Sequence, residues 1–160
     1  QQKGRNNELL SGQYAARRAF FNRLLSNLIL FSYLCKVIDT YWIFMSKLIE
    51  TIVNAIEDKK GKDIVSLDLS GFDGAICSHF IVCNADSTTQ VCAIAAEVEE
   101  QVFEKLGEKV WRIEGQQNGV WIAMDYVDVV VHIFQTELRG FYKLEELWAD
   151  APMVKYEYEE

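Results

Sequence analysis

Residues 118–134 read NGVWIAMDYVDVVVHIF, and the way this stretch folds decides the architecture. Side chains alternate between the two faces of a strand. If the chain reverses at Tyr126-Val127, Asp125 faces Asp128, Ala123 faces Val130 and Trp121 faces His132. One face of the hairpin is then Ile122, Met124, Val129, Val131 and Ile133, wholly apolar, which marks it as core. The other is mixed: Trp121, Ala123, Asp125, Asp128, Val130, His132 and Phe134. A tight two-residue turn asks for positive φ, which β-branched Val127 tolerates poorly. A longer bend is the alternative.

The neighbouring segments extend this hairpin into a layered domain. MSKLIETIVNAIEDKKGKD places Leu48, Ile49, Ile52, Val53 and Ile56 at helical spacing, and Gly61 is placed to end that helix in a left-handed cap. Ile64–Leu69 and His79–Cys83 read as strands around Gly71-Phe72-Asp73-Gly74. Ser87-Thr88-Thr89-Gln90 has the S-x-x-Q form of a capping box. The helix it opens runs to about Leu106 and presents Val91, Ile94, Ala95, Val98 and Val102 on one face. Strands are predicted at Val110–Ile113, Val120–Asp125 and Asp128–Phe134, with a last helix over Glu137–Trp148. The order is α-β-β-α-β-β-β-α, an α/β (α+β mixed) domain with a five-stranded mixed sheet flanked by helices.

Charge divides the chain. Residues 1–44 hold six Lys or Arg against Glu8 and Asp39, a net +4, and the remainder carries −12 of the total −8. Such an acidic domain is unsuited to a phosphate backbone, so no direct DNA binding is expected. It suits a basic protein partner, or simply solubility. Residues 19–34, AFFNRLLSNLILFSYL, resemble a signal peptide after Arg17-Arg18, but Arg23 and Asn27 interrupt the apolar run. Arg23, Lys36 and Asp39 break any window of about 20 apolar residues, so no membrane span is expected. Residues 1–44 are therefore expected to be a leader outside the domain, an amphipathic helix or partly disordered. Met45 is expected to be the biological start, residues 45–152 the domain and residues 153–160 an acidic tail. Cys35, Cys77, Cys83 and Cys92 show no C-x-x-C spacing, and with two histidines no zinc site is expected. Reduced thiols in a cytosolic protein are the simplest reading.

An enzyme and a binding module compete for the polar residues of the hairpin. Asp128 and His132 lie four residues apart on one strand, roughly 13 Å, too far to share a metal directly. The chain lacks a G-x-S-x-G elbow, a phosphate loop and an H-E-x-x-H pair. His132 is either a hydrogen-bonded histidine in a half-buried sheet or a site residue, and the Asp125/Asp128 pair either caps the turn and aids solubility or faces a partner. Trp121 is either packing or an interface anchor.

Gly119, Trp121, Asp125, Tyr126, Asp128 to His132 and Phe134 form one motif. Glu137, Arg139, Tyr142, Leu144, Leu147, Trp148, Asp150, Ala151 and Pro152 form a second, with DIVSLDLSG and CSHFIVCNADSTTQVCAIAAEVEE upstream. In this order, over about residues 46–152, they resemble the ribosomal silencing factor family RsfS, also called iojap. Family members often carry glycine where Val127 stands here. The resemblance implies a reduced nucleotidyltransferase-like fold. It implies a cytoplasmic, non-enzymatic factor that docks on ribosomal protein L-fourteen of the large ribosomal subunit. There it blocks association with the small subunit and represses translation under nutrient limitation. It also implies that a homodimer can form when the factor is free. The alternative is a nucleotidyltransferase-fold enzyme or nucleotide-binding protein. Against it, the stretch where that fold carries its metal-binding carboxylates reads Asn84-Ala85-Asp86-Ser87. No cofactor or metal is expected. Trp121, Asp125, Tyr126, Asp128, Arg139 and Tyr142 are the expected partner-binding residues, because aromatics and arginine are the usual interface anchors and acidic side chains complement a basic partner.

Overall fold

The computed structural model describes residues 2–157, with side chains described from Leu30 onward. The chain forms two compact units, Gln1–Met45 and Ser46–Glu160. A first helix, α1 (Gln2–Asp58), contributes to both. Within the first unit Leu30, Phe31, Tyr33, Leu34 and Trp42 are all exposed. The expected amphipathic or partly disordered character of residues 1–29 concerns side chains outside the described residues. Among the described residues no helix is long and apolar enough to cross a membrane.

In the second unit the last turns of α1 bury Leu48, Ile52 and Ile56, spaced four apart on one stripe. The end of this helix differs from expectation in an instructive way. The left-handed residue is Lys60 (φ 58°), and Gly61 follows it. The Gly61 N–H donates to the Ile56 carbonyl at 2.9 Å, the longer closing bond of a Schellman motif. Glycine is needed at 61 for space. A Cβ there would lie 2.3 Å from Ile56 Cγ2 and 3.3 Å from Ile94 Cδ1.

Six strands follow, one more than the sequence predicts: β1 (Lys62–Asp68), β2 (His79–Ala85), β3 (Arg112–Glu114), β4 (Trp121–Asp125), β5 (Val129–Gln135) and β6 (Met153–Tyr156). They form one sheet in the order β3-β4-β5-β2-β1-β6. Only the central β2–β5 pair is parallel. The sixth strand occupies residues expected to be acidic tail. Met153–Tyr156 is an edge strand with no buried face of its own, so it carries no hydrophobic alternation to read. It forms by pairing with β1, Leu67 opposite Met153 and Ile64 opposite Tyr156.

Helix α2 (Thr88–Leu106) packs on β2, β4 and β5. Its start is as predicted: the Ser87 hydroxyl accepts from the Gln90 N–H at 3.2 Å, and Gly107 ends the helix at φ 71°. Val91, Ile94, Val98 and Val102 are buried on its inner face. Between this helix and the sheet lie Ile122, Met124, Val129, Val131 and Ile133, all fully buried. Each such side chain contributes about 1.5–3 kcal/mol relative to exposure. The predicted apolar face of the hairpin is thus the centre of the main core.

The other sheet face carries a second core of Val65, Leu67, Phe80, Val82, Val130 and Phe134. The expected final helix breaks in two over this face, into α3 (Thr136–Tyr142) and α4 (Leu144–Leu147). Lys143 between them takes a left-handed conformation, φ 48°, which a continuous helix does not permit. Phe72, Trp121, Leu138, Leu144 and Trp148 pack as a partly buried lid on this core.

Candidate partner-binding surface

The β4–β5 hairpin turns one step later than expected. Ala123 pairs with His132, and Trp121 pairs with Phe134. Every partner is displaced by two residues, which leaves each side chain on its predicted face. The Tyr126 N–H donates to the Val129 carbonyl at 2.9 Å, and the Asp128 N–H to the Tyr126 carbonyl at 3.0 Å. The second bond spans two residues, a γ-turn centred on Val127, whose φ is 74°. Val127 therefore adopts the positive φ that its branched side chain disfavours, and it stands exposed at the tip. Strain of this kind costs on the order of 1–3 kcal/mol and persists where neighbouring contacts over-determine the backbone. Those contacts are visible. Asp125 Oδ1 accepts from the Val127 N–H at 2.7 Å. The Asp128 carbonyl accepts from the N–H groups of both Ser78 and His79, and the Asp125 carbonyl from that of Trp111.

The six expected contact residues separate into three pairs. Trp121 and Tyr142 come together, ring centroids 4.9 Å apart. Trp121 also stacks on Phe134 at 4.9 Å and donates from Nε1 to His132 Nδ1 at 3.3 Å. Tyr142 is 47 % exposed, and the still more exposed Phe141 meets it edge-on at 5.2 Å. Asp125 and Asp128 sit at the far end of the hairpin. Asp125 is engaged as a turn cap, while the Asp128 carboxylate makes no hydrogen bond or ion pair among the described residues.

Two of the six are withdrawn from the surface. Tyr126 is only 8 % exposed, and burial holds its phenol protonated well above the usual range. It shares the parity of Ile122 and Met124, so the alternation already placed it on the core face. Arg139 is held internally. Its Nη1 donates to the Asp63 carbonyl and to Asn84 Oδ1, both at 2.6 Å, and its Nε to Glu145 Oε1 at 2.8 Å. Asn84 in turn donates to the Thr136 hydroxyl at 3.0 Å. This network ties α3 and α4 to β1 and β2, so Arg139 positions the surface that carries Tyr142. Phe141, which sequence reasoning missed, belongs to that surface. Its only signal was an aromatic adjacent to Tyr142 on a short helix with no buried residue.

His132 underlies the aromatic pair. It is 8 % exposed, edge-on to Phe80 at 4.8 Å, and its Nε2 finds no partner among the described residues. Burial lowers its pKa to about 4, against the opposing pull of Glu145. The imidazole is therefore neutral at pH 7, with Nδ1 free to accept from Trp121.

A cleft of about 450 Å³ opens beside Asn84, Thr136, Arg139 and Lys143 at the carboxyl ends of β2 and β5. A nucleotide-binding relative would use this end of the sheet. Here the charges are already spent internally: Arg139 on Glu145, Lys143 on Glu146, and Lys62 on Asp86. Asp86 and Ser87 are committed to an ion pair and a helix cap. Among the described residues no group of three potential metal ligands converges.

Fold and surface together define a small mixed-sheet α/β protein presenting an aromatic pair beside a strained hairpin. The family profile described as ribosomal silencing factor during starvation, RsfS, matches residues 45–160. The chain belongs to this family, whose name describes a regulatory factor. It is 40 % identical over 111 residues to the ribosomal silencing factor RsfS of Halalkalibacterium halodurans, covering 69 % of this chain and 93 % of that protein. It is 38 % identical over 104 residues to the factor of the same name from Bacillus subtilis, covering 65 % and 86 %. A crystal structure of a Chromobacterium violaceum protein superposes with a TM-score of 0.61 at 35 % identity, covering 65 % of this chain and 85 % of that one.

Proposed function

We propose that this protein binds the large ribosomal subunit through ribosomal protein L-fourteen, blocks its association with the small subunit and so represses translation when nutrients are scarce. It acts in the cytoplasm, through residues 45–152 together with β6, and residues 1–44 are dispensable for binding. The observation that carries the reading is the half-exposed Tyr142 of α3 resting on the partly buried Trp121 of β4, in a chain of the silencing-factor family. Such aromatics anchor interfaces because they bury much area at little cost in conformational entropy. The acidity of the domain favours a basic ribosomal protein over ribosomal RNA as the docking site. Asp125 and Asp128 are assigned to the rim of the same surface.

The test is sedimentation of the full chain with isolated large subunits, followed by a subunit-joining assay. Binding near stoichiometry and reduced joining are expected. No binding at several-fold excess over subunits overturns the proposal.

A further inference from the structure

The Trp121–Tyr142 pair lies on the sheet face covered by α3 and α4. Two further exposed aromatics lie outside that surface, one on α2 and one just before β3. Phe103, near the end of α2, is 51 % exposed, and Trp111, just before β3, is 72 % exposed. Between α2 and the segment leading to β3 runs an open groove of about 590 Å³, lined by Glu99, Glu100, Phe103, Glu108, Lys109 and Val110. Phe103 stands exposed in this groove, and Trp111 follows directly on the lining residue Val110. Trp111 is held in place, its N–H donating to the Asp125 carbonyl at 2.8 Å.

The chemistry of the occupant follows from the groove. Glu99, Glu100 and Glu108 form no ion pair among the described residues, so their charges are available to a partner. Lys109 Nζ stands 5.6 Å from the centroid of the Phe103 ring, which shows that this ring face accepts a cation. Three carboxylates repel a phosphate backbone. A second copy docked symmetrically would set carboxylates against carboxylates, which costs affinity.

We infer that the α2–β3 groove is a second docking surface, and that it takes a lysine- or arginine-bearing protein segment with an apolar side chain that packs on Phe103. The inference rests on the proposed binding to the large subunit and adds a second contact to it. The basic segment belongs to a protein of that subunit, and its cations replace Lys109 over the Phe103 ring and meet Glu99 and Glu108.

The experiment uses the full chain with Phe103→p-benzoylphenylalanine, irradiated on purified large subunits. A parallel variant combines Phe103→Ser, Glu99→Gln and Glu108→Gln, with its melting temperature measured as a check on folding. The expected crosslink is to a ribosomal-protein peptide containing lysine or arginine. The triple variant should bind roughly tenfold more weakly, the scale of one anchor with its complementary charges, and with a shallower salt dependence. A crosslink to ribosomal RNA alone, a crosslink to a second copy of this chain, or none while the protein still co-sediments each overturns the inference. So does unchanged affinity in the folded triple variant. If nothing co-sediments at all, the proposed function itself falls, and this inference with it.

Discussion

His132 should make the stability of the aromatic surface depend on acid. Its pKa falls from 6.5 to about 4 on folding, because burial disfavours the imidazolium. For a depressed pKa the stabilisation is full above the unfolded value and is lost as pH drops toward the folded one. The loss therefore begins below about pH 6.5 and levels off below about pH 4. Between pH 7 and 4.5 it amounts to roughly 2.5 kcal/mol at 1.36 kcal/mol per pKa unit. The group is almost fully buried, so solvent screening removes little of this. Protonation would also take Nδ1 away from the Trp121 N–H, which stands 3.3 Å from it. His132→Asn keeps an acceptor near that position and does not titrate. Urea unfolding of both proteins should show the native protein losing about 2–3 kcal/mol more than the variant over this range. The comparison subtracts Asp68, Asp86 and Glu97, whose pKa values are lowered by their hydrogen-bond partners. Parallel curves would refute the reasoning and would mean that the folded protein tolerates a charged His132.

Tyr142→Ala should weaken subunit binding by 2 kcal/mol or more, about thirtyfold, with little change in melting temperature, since the ring is half exposed. Trp121→Ala should weaken binding similarly but also lower stability, because its ring stacks on Phe134; normal affinity in either variant counts against the proposed surface. Arg139→Leu leaves Glu145 and Asn84 without their cation and should cost about 3–5 kcal/mol, measured by denaturant unfolding; a neutral result would mean that the network is incidental. Val127→Gly relieves the positive φ at the hairpin tip and should raise stability by about 0.5–1 kcal/mol; destabilisation would show that the exposed side chain packs on something. Removing residues 1–44 should cost less than about 2 kcal/mol, the scale of a damaging core change, and a larger cost in thermal unfolding would place the domain boundary elsewhere.

Periodicity and capping chemistry determined much of this protein directly. The Ser87 cap, the Gly107 stop, the buried face of α2 and the apolar face of the hairpin follow from local rules that need no knowledge of the rest of the chain. The parity that placed Ile122 and Met124 in the core applied equally to Tyr126, where residue type pulled the reading toward the surface. The assignment of Trp121 and Tyr142 to one surface followed from motifs and residue types, but their contact depends on the return of α3 across the sheet. Tertiary structure alone decided three features. Met153–Tyr156 became a strand because β1 offered an unpaired edge, and an edge strand needs only backbone partners. Lys143 broke the last helix where Arg139 is held by Glu145, a contact spanning six residues that no periodicity encodes. Arg139 itself turned inward because Asn84 and the Asp63 carbonyl, 55 and 76 residues away in the chain, converge on it. A guanidinium free at a surface and one at the hub of a partly buried network look alike in sequence, since the difference lies wholly in which distant acceptors the fold brings within reach.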